Sequence, residues 1–317
     1  MQTAPQRFRT LSPWLRERFG RPVHRVSLDA GSTCPNRDGT KGFGGCTYCD
    51  IEGSGTGALK DGDGLEEQLQ SGIARIARRK KRPTDPDSGV IAYLQSYTNT
   101  YVEGGRFAEV LDIIRRYIAM PDSPIVALSV ATRPDCLPDE TVRVLEDLKK
   151  ETEIWVELGL ESANDQVLFD INRLHTLEEF EDATARLRQA GVLTVGHAIL
   201  GLPGDGREGA RGTAAALAKS GVEGVKVHNL MVLEKTQMAH QWRKGELEVP
   251  SAQEYLSLLA DFVERLAPDQ VLHRITGDAP EAKQLAPRWD VPKNAIRELL
   301  ETELESRGTS QGCLAAI

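Results

Sequence analysis

The sequence predicts an α/β protein, a partial (β/α)6 barrel of the TIM type with a helical C-terminal appendage. Three observations indicate this fold. Short apolar runs rich in β-branched residues recur along the chain, as in parallel strands covered by helices. Amphipathic stretches with helical periodicity lie between them. The length of 317 residues is normal for one barrel-sized domain. We therefore expect an active site at the carboxyl ends of the strands.

Strands and helices are expected to alternate along the chain. The predicted strands, in order, are 24–29, 89–95, 124–130, 154–160, 193–200, 223–232 and 271–275. The predicted helices, in order, are 64–80, 104–119, 138–150, 176–190, 207–219 and 251–266, with a further helix near 292–306. Gly191 and Gly221 follow helical segments directly, as glycine does at helix C-termini. This pattern predicts an N-terminal arm over 1–22, a barrel over 23–278 and a helical extension over 279–317.

Composition narrows the classes of function. The net charge of -8 argues against a protein that coats nucleic acid by charge alone, although it permits a local basic patch. No apolar run is long enough to span a bilayer, and the N-terminus lacks the apolar stretch of a signal peptide. We therefore expect a cytoplasmic protein with reduced thiols, in which unevenly spaced cysteines favour a metal site over disulfides.

Three cysteines follow the first predicted strand in a glycine-rich loop. Cys34, Cys46 and Cys49 are one ligand short of a closed zinc site or an ordinary electron-transfer cluster. If they hold a cluster of four irons, one iron keeps an open position for chemistry. The alternative is a structural zinc site completed by Cys136, Asp50 or a distant histidine. Cys136 is otherwise expected to be a small buried residue, and Cys313 to have no role in the site.

This loop and the segments after it resemble the radical S-adenosylmethionine (SAM) superfamily. The commonest cysteine spacing of that superfamily is CxxxCxxC, whereas the first gap here has eleven residues. The widened spacing, Cx11CxxC, is similar to that of small bacterial members of the branch of the Elongator catalytic subunit. Further segments that match the superfamily in order are 94–101, 131–135, 157–162, 196–204 and 233–236, where Lys235 stands at a place that is often glycine in relatives.

The resemblance implies both cofactors and a site. Thiolates of the three cysteines would hold three irons of a [4Fe–4S] cluster, and SAM would chelate the fourth. One electron, from a donor such as flavodoxin or ferredoxin, would then cleave SAM to a 5′-deoxyadenosyl radical that abstracts hydrogen from substrate. The residues that the resemblance and their strand-end positions assign to SAM are Tyr48, Gln95, Thr98, Asn99, Arg133, Glu157, Glu161, His197 and Ile199.

Several of these residues also have ordinary structural explanations. Gln95, Thr98 and Asn99 also suit the end of a strand and the start of a turn. Arg133 suits either a surface turn or an anionic group of SAM or substrate. Glu157 and Glu161 stand an even number of residues apart in one buried strand, which places both on the same face. His197, His228 and His273 lie on predicted strands, as core or rim residues or in contact with cofactor or substrate.

A basic run ends the helix predicted over 64–80. It consists of Arg78, Arg79, Lys80, Lys81 and Arg82. The run suits either a solvated helix terminus or a contact with an RNA backbone.

The substrate is predicted only through the resemblance. Elongator-like relatives act on the wobble uridine of tRNA, so modification or processing of a carboxymethyl-type side chain on that base is the leading hypothesis. A second reading is radical chemistry on a small metabolite or porphyrin-like molecule, because the fourth- and fifth-strand segments also resemble the coproporphyrinogen dehydrogenase branch. A third is a zinc- or cluster-bearing binding scaffold without turnover.

Overall fold

A computed structural model describes residues 6–50, 62, 64–79, 87–102, 105–277, 279–292 and 294–316. Its centre is a sheet of seven parallel strands in the order β1-β2-β3-β4-β5-β6-β8, and β7 pairs antiparallel with β9. The strands are β1 Val23–Leu28, β2 Gly89–Leu94, β3 Ile125–Thr132, β4 Glu153–Glu161, β5 Leu193–Leu200, β6 Gly224–Asn229, β7 Val232–Leu233, β8 Val271–Arg274 and β9 Gln284–Ala286. The partial barrel predicted from the sequence is thus confirmed.

Helices cover the outside of this sheet. They are α1 Leu11–Phe19, α2 Leu65–Ala77, α3 Arg106–Ile118, α4 Asp139–Leu148, α5 Asp165–Asp170, α6 Leu177–Gln189, α7 Gly206–Ser220, α8 Gln237–Arg243, α9 Ala252–Val263 and α10 Ala295–Arg307, with a 3₁₀ turn at Pro134–Cys136. Each main helix of the predicted pattern is present. Gly221 ends α7 with φ +65° and Gly191 follows α6 with φ +64°, as expected of C-terminal glycines.

Successive side chains along a strand face alternately the apolar core and the cavity. On β4, Val156, Leu158 and Leu160 belong to the apolar layer shared with the helices. Glu157 and Glu161 lie on the other face, as predicted, and line the barrel interior. The polar residues of the strands therefore point into the barrel, and the aliphatic ones fix it to its helices.

The sixth predicted strand is shorter than expected. The run 223–232 divides into β6 and β7, because Asn229 ends β6 by accepting hydrogen bonds from Thr276 Oγ1 at 3.0 Å and from the Gly277 N–H at 2.8 Å. The backbone N–H of Leu230 donates to the Leu200 carbonyl at 2.9 Å and closes the sheet end.

The predicted N-terminal arm contains a helix. Phe8 is buried in the core. Thr10 forms a parallel bridge with Leu272 of β8, and α1 begins at the next residue. The N–H of Leu272 donates to the Arg9 carbonyl at 2.9 Å. The N-terminal segment therefore covers the open edge of β8, where unpaired backbone groups would otherwise be exposed. None of the helices that the structure describes is long and apolar enough to cross a bilayer.

Candidate active site

The cysteine loop leaves the carboxyl end of β1, as predicted. Its turns need backbone conformations that favour glycine, since Gly44 and Gly45 both have φ +80° directly before Cys46. The loop brings all three thiols to the wall of one cavity of about 580 Å³ at the carboxyl ends of the strands. Cys34 and Cys46 are buried, and Cys49 is half-buried.

This donor set fits a [4Fe–4S] cluster. Three thiols on one cavity wall can each take a different iron, which leaves a fourth iron without a protein ligand. Burial, and then the neighbouring charge of Cys46, raises the pKa of the Cys49 thiol to about 11. Metal binding would therefore displace a proton from this sulfur. Within the part of the chain that the structure describes, no three His, Cys, Asp or Glu side chains converge on a single metal ion.

The other two cysteines lie apart from this trio. Cys136 is buried, as expected, and its thiol lies 3.8 Å from Asp135 Oδ1. Burial, and then the charge of Asp135, raises its pKa to about 12. Cys313 is exposed. Asp50, the other neighbour considered for zinc, lies 3.5 Å from Lys283 Nζ.

Most of the residues predicted to bind SAM line the same cavity as the thiols. They are Tyr48, Gln95, Thr98, Arg133, Glu157, Glu161, His197 and Ile199. Asn99 is placed differently: its amide donates to the Ala131 carbonyl at 2.9 Å and accepts from Ser32 Oγ at 3.1 Å. Asn99 thus ties the β2 and β3 ends to the cysteine loop instead of lining the cavity.

Charged and aromatic side chains form the inner end of the cavity, which we call the inner floor. Its members are Arg25, Tyr93, Glu157, His197, Lys226, His228 and Arg274. Glu157 is at its centre: it pairs with Lys226 Nζ and accepts from His197 Nε2 and Ser129 Oγ, both at 2.8 Å. Arg25 lies 3.6 Å from the same carboxylate.

Burial and charge act against each other on this floor. Burial alone would raise the pKa of Glu157, but the charges of Lys226 and Arg25 and the hydrogen bond from His197 hold it well below its usual range. Burial lowers the pKa of Lys226 to about 7, although Glu157 opposes the shift. Lys226 and Arg25 therefore face one carboxylate, and Arg274 lines the same cavity, so the floor has more cationic than anionic side chains.

A second charged pair lies nearer the cavity mouth. Arg173, which the sequence analysis did not single out, is buried and donates to the Gly159 carbonyl at 2.9 Å. Its Nη2 also lies 3.6 Å from Glu161 Oε1. Glu161 adopts φ +69°, which is uncommon for a side chain other than glycine or asparagine. A Cβ on Gly159 would stand 2.5 Å from both Arg173 Nη2 and Glu161 Oε1, so a larger residue there would displace these two groups.

Arg133 is not a surface turn residue, so that alternative is wrong. It is 1% exposed and forms a bidentate pair with Asp135, with both N···O distances at 2.8 Å. Burial opposes ionisation of Asp135, but Arg133 and Lys41 hold its pKa well below the usual range. Arg133 Nη1 has no hydrogen-bond partner among the described residues, although it is buried. A guanidinium on the cavity wall with one nitrogen unpaired suits an anionic ligand.

The three histidines do not all converge. His197 and His228 line the cavity with ring centroids 5.8 Å apart. His273 lies behind the floor, where it packs on Trp155 and accepts from Arg25 Nη2 at 3.0 Å. Burial lowers the pKa of all three rings, so they are neutral at physiological pH.

The basic run lies only partly within the described residues. Arg78 and Arg79 are exposed and follow the last residue of α2. Lys80, Lys81 and Arg82 lie outside the described residues.

Sequence reasoning predicted Arg133 but missed the other five cationic residues that line the cavity: Arg25, Arg37, Arg173, Lys226 and Arg274. A signal existed for two of them. Lys226 interrupts an apolar strand two residues before His228, and Arg25 stands two residues before Ser27, so parity alone points both into the barrel. Arg173 follows the short helix α5, which periodicity did not reveal.

Comparison with known proteins agrees with this geometry. Residues 33–217 match the model of the radical SAM superfamily, and 222–306 match that of a radical SAM C-terminal domain. The uncharacterised protein YtqA of Bacillus subtilis is 39% identical over 307 residues, covering 97% of this chain and 92% of that protein. The tRNA uridine(34) acetyltransferase of Methanocaldococcus jannaschii is 25% identical over 193 residues, which is 60% of this chain and 34% of that protein.

A solved structure shows the same fold. Elp3 of Methanocaldococcus infernus with an N-terminal deletion superposes with a TM-score of 0.65 at 18% identity, over 92% of this chain and 64% of that chain. From the family match and the three-thiol loop, the chain belongs to the radical SAM superfamily, with a [4Fe–4S] cluster and SAM as its cofactors, and it is similar to Elongator proteins.

Proposed function

We propose that this enzyme modifies or processes the side chain of the wobble uridine of a tRNA. The observation that carries the proposal is the inner floor. It lies in the same cavity as the three thiols, and it carries an excess of cationic groups. A carboxymethyl-type substituent on uridine is anionic, so such a floor would attract it and hold it beside the cofactors.

The cavity residues would have different roles at different depths of the barrel. Cys34, Cys46 and Cys49 would hold the cluster at the mouth. The unpaired Nη1 of Arg133 and the guanidinium of Arg173 would bind the carboxylate of SAM, since arginine recognises carboxylates through paired donors.

Glu161 and Ile199 line the cavity and would hold the nucleoside part of SAM, as the resemblance of their strand segments to the superfamily suggests. The Glu161 carboxylate can accept hydrogen bonds from ribose hydroxyls, but when ionised it cannot donate one. When bound, the cluster and SAM supply a radical that abstracts hydrogen from an unactivated carbon.

The floor residues would act on the substrate side. Lys226 and Arg25 are held by Glu157, which fixes their position before substrate arrives. Because Lys226 has a pKa of about 7, a bound carboxylate would favour its protonated form at neutral pH. His197 and His228 are neutral and offer hydrogen bonds without adding charge.

The tRNA part of the proposal draws on the relatives. One relative is named as a tRNA uridine(34) acetyltransferase, and it shares 193 aligned residues with this chain. Those residues are 34% of the relative, so its whole activity is not carried over. An alignment over 60% of this chain must include part of the radical SAM match over 33–217, which supports a radical step on the same nucleoside.

The test is anaerobic reconstitution of the cluster, followed by incubation with SAM and bulk tRNA from a strain that lacks the protein. We expect 5′-deoxyadenosine formation to rise when tRNA is added, and mass spectrometry of digested nucleosides to show one altered uridine. Cys46→Ala protein is the matched negative control for cluster-dependent change, and Lys226→Met should retain its cluster but lose most of the tRNA-dependent reaction.

Other outcomes would favour the rival readings. Turnover of a small molecule with every tRNA nucleoside unchanged would refute the tRNA proposal. One zinc per chain with no SAM cleavage would indicate a binding scaffold.

A further inference from the structure

The widened gap between Cys34 and Cys46 carries side chains that reach the sulfurs of the cluster ligands. We propose that Arg37, assisted by Asn36, donates hydrogen bonds to these sulfurs and raises the reduction potential of the cluster. The proposal depends on the cysteine loop and the family, and it is independent of the tRNA substrate.

The guanidinium of Arg37 is held against Cys49. Its Nη2 lies 3.3 Å from Cys49 Sγ and 3.4 Å from the Cys49 carbonyl, and it also donates to the Asp50 carbonyl. The backbone N–H of Arg37 donates to the Cys34 carbonyl at 2.8 Å, which turns the chain back toward the other cysteines. A Cβ on Gly45 would lie 3.1 Å from Arg37 Cζ, so the glycine leaves room for the guanidinium.

The charge of Arg37 is directed at the thiols. The three acceptors of its guanidinium within the described part of the chain are one sulfur and two carbonyl oxygens, and none is a carboxylate. The guanidinium also lies over the ring of Tyr97, whose centroid is 5.4 Å from Cζ. Arg37 also lines the cavity with Cys34, Cys46 and Cys49. The negative charge that balances this cation would therefore come from the cysteine thiolates and the cluster.

Asn36 makes a weaker contact with a second sulfur. Its side chain is fully buried, and Nδ2 donates to the carbonyls of Asn172 and Arg173, the latter at 3.1 Å. These two acceptors identify this atom as the amide nitrogen. The same nitrogen lies 3.7 Å from Cys46 Sγ. Because its two hydrogens already serve carbonyl oxygens, we expect Asn36 to contribute less than Arg37.

The expected consequence follows from the charge of the two redox states. The reduced cluster carries one more negative charge than the oxidised one, so an N–H donor or a cation beside a ligand sulfur stabilises the reduced state more. Both donors lie at the start of the eleven-residue gap, two and three residues after Cys34. A more positive potential makes reduction by the electron donor easier.

The test is the midpoint potential of the reconstituted cluster without SAM, measured by redox titration with electron paramagnetic resonance. In Arg37→Gln protein with four irons per chain, we expect the ratio of reduced to oxidised cluster at a fixed ambient potential to fall about tenfold, which is 59 mV for one electron. Arg37→Lys, which keeps the charge but not the planar donor, should show a smaller shift in the same direction.

Lys41→Gln is the matched control, because Lys41 lies in the same gap but pairs with Asp135 and Glu179 instead of sulfur. The midpoint potential of Lys41→Gln should shift less than a third as far as that of Arg37→Gln. An unshifted potential in four-iron Arg37→Gln, or an equal shift in Lys41→Gln, would overturn the proposal. If Arg37→Gln does not retain four irons, Arg37→Lys decides: a more negative potential supports the proposal, and an unchanged one refutes it.

Discussion

Lys226 is an ionisable side chain inside a barrel, and its environment predicts a pH-dependent stability. An unfolded chain keeps a lysine protonated up to about pH 10.5, whereas burial lowers the pKa of Lys226 in the folded protein to about 7. Between these values the unfolded state binds one more proton, so the contribution of this group to stability rises with pH. The rise is at most about 1.4 kcal/mol per pH unit.

We expect Lys226→Met to remove this rise. Urea unfolding of cluster-free protein at pH 7, 8 and 9 would measure it, as the difference between wild type and variant. Lys219 is exposed, so the free energy of unfolding of Lys219→Met should depend on pH in the same way as that of the wild type. Parallel curves for Lys226→Met and wild type would show that Lys226 stays protonated in the folded protein.

Gly159 provides a second test at the scale of one residue. An added Cβ would stand 2.5 Å from Arg173 Nη2 and from Glu161 Oε1, both on the cavity wall. We therefore expect Gly159→Ala to displace both groups and to weaken SAM binding at least tenfold, or about 1.4 kcal/mol. Equilibrium binding of SAM to reconstituted protein would measure this. Gly212→Ala is the control, because a Cβ there meets no atom within 4 Å and should leave the affinity unchanged.

The elements show which parts of the fold local sequence can specify. The seven strands of the main sheet were predictable because buried parallel strands are nearly continuous apolar runs. The helices α5 and α8 were not, since six or seven residues give too few turns for a periodic pattern. Lys235 shows another limit: it adopts φ +64°, a conformation that favours glycine, and the residue type alone gives no sign of it.

The C-terminal helix α10 is fixed by an ion-pair network on α9. Arg307 Nη1 lies 2.7 Å from Asp261 Oδ1 and 3.4 Å from Glu264 Oε1, and both carboxylates are buried. Hydrogen bonds between charged groups contribute about 1.5–3 kcal/mol, and an unpaired buried carboxylate costs more. Arg207 and Arg211 also pair with Asp261, so part of its charge stays compensated without Arg307.

We therefore expect Arg307→Leu to destabilise the protein by about 2 kcal/mol in urea unfolding. Protease cleavage within α10 should accelerate in the same variant. Arg297→Leu, at an exposed position of the same helix, should change stability by less than about 0.5 kcal/mol. Equal effects of the two substitutions would argue against the network as the anchor.

At the scale of the molecule, the site is assembled from almost every strand. The cysteine loop follows β1, and the walls come from the ends of β2 to β6. Positions at strand ends were predictable, because parallel strands bring their carboxyl ends together. The ion pairing of the inner floor was not, since the partners of Glu157 come from β1, β5 and β6 and meet only in the curved sheet.

Because the net charge is -8, any binding of tRNA depends on where the cationic residues lie on the surface. An acidic protein binds a polyanion only through a local basic surface, and the densest basic run is 78–82. If this run contacts the RNA backbone, replacing all five residues with glutamine should weaken tRNA binding and flatten its salt dependence. For each phosphate that the variant no longer neutralises, the slope of log affinity against log salt should fall by about 0.7–0.9.

SAM cleavage without tRNA should be unchanged, because Arg78 and Arg79, the two residues of the run that the structure describes, do not line the cavity. The control removes the same number of charges from scattered exposed positions, Arg143, Lys150, Lys219, Lys244 and Arg297. Filter binding over a range of salt concentrations would compare the two variants. An unchanged slope in the run variant, or an equal reduction in the scattered one, would show that long-range charge and not this run determines how tRNA is held.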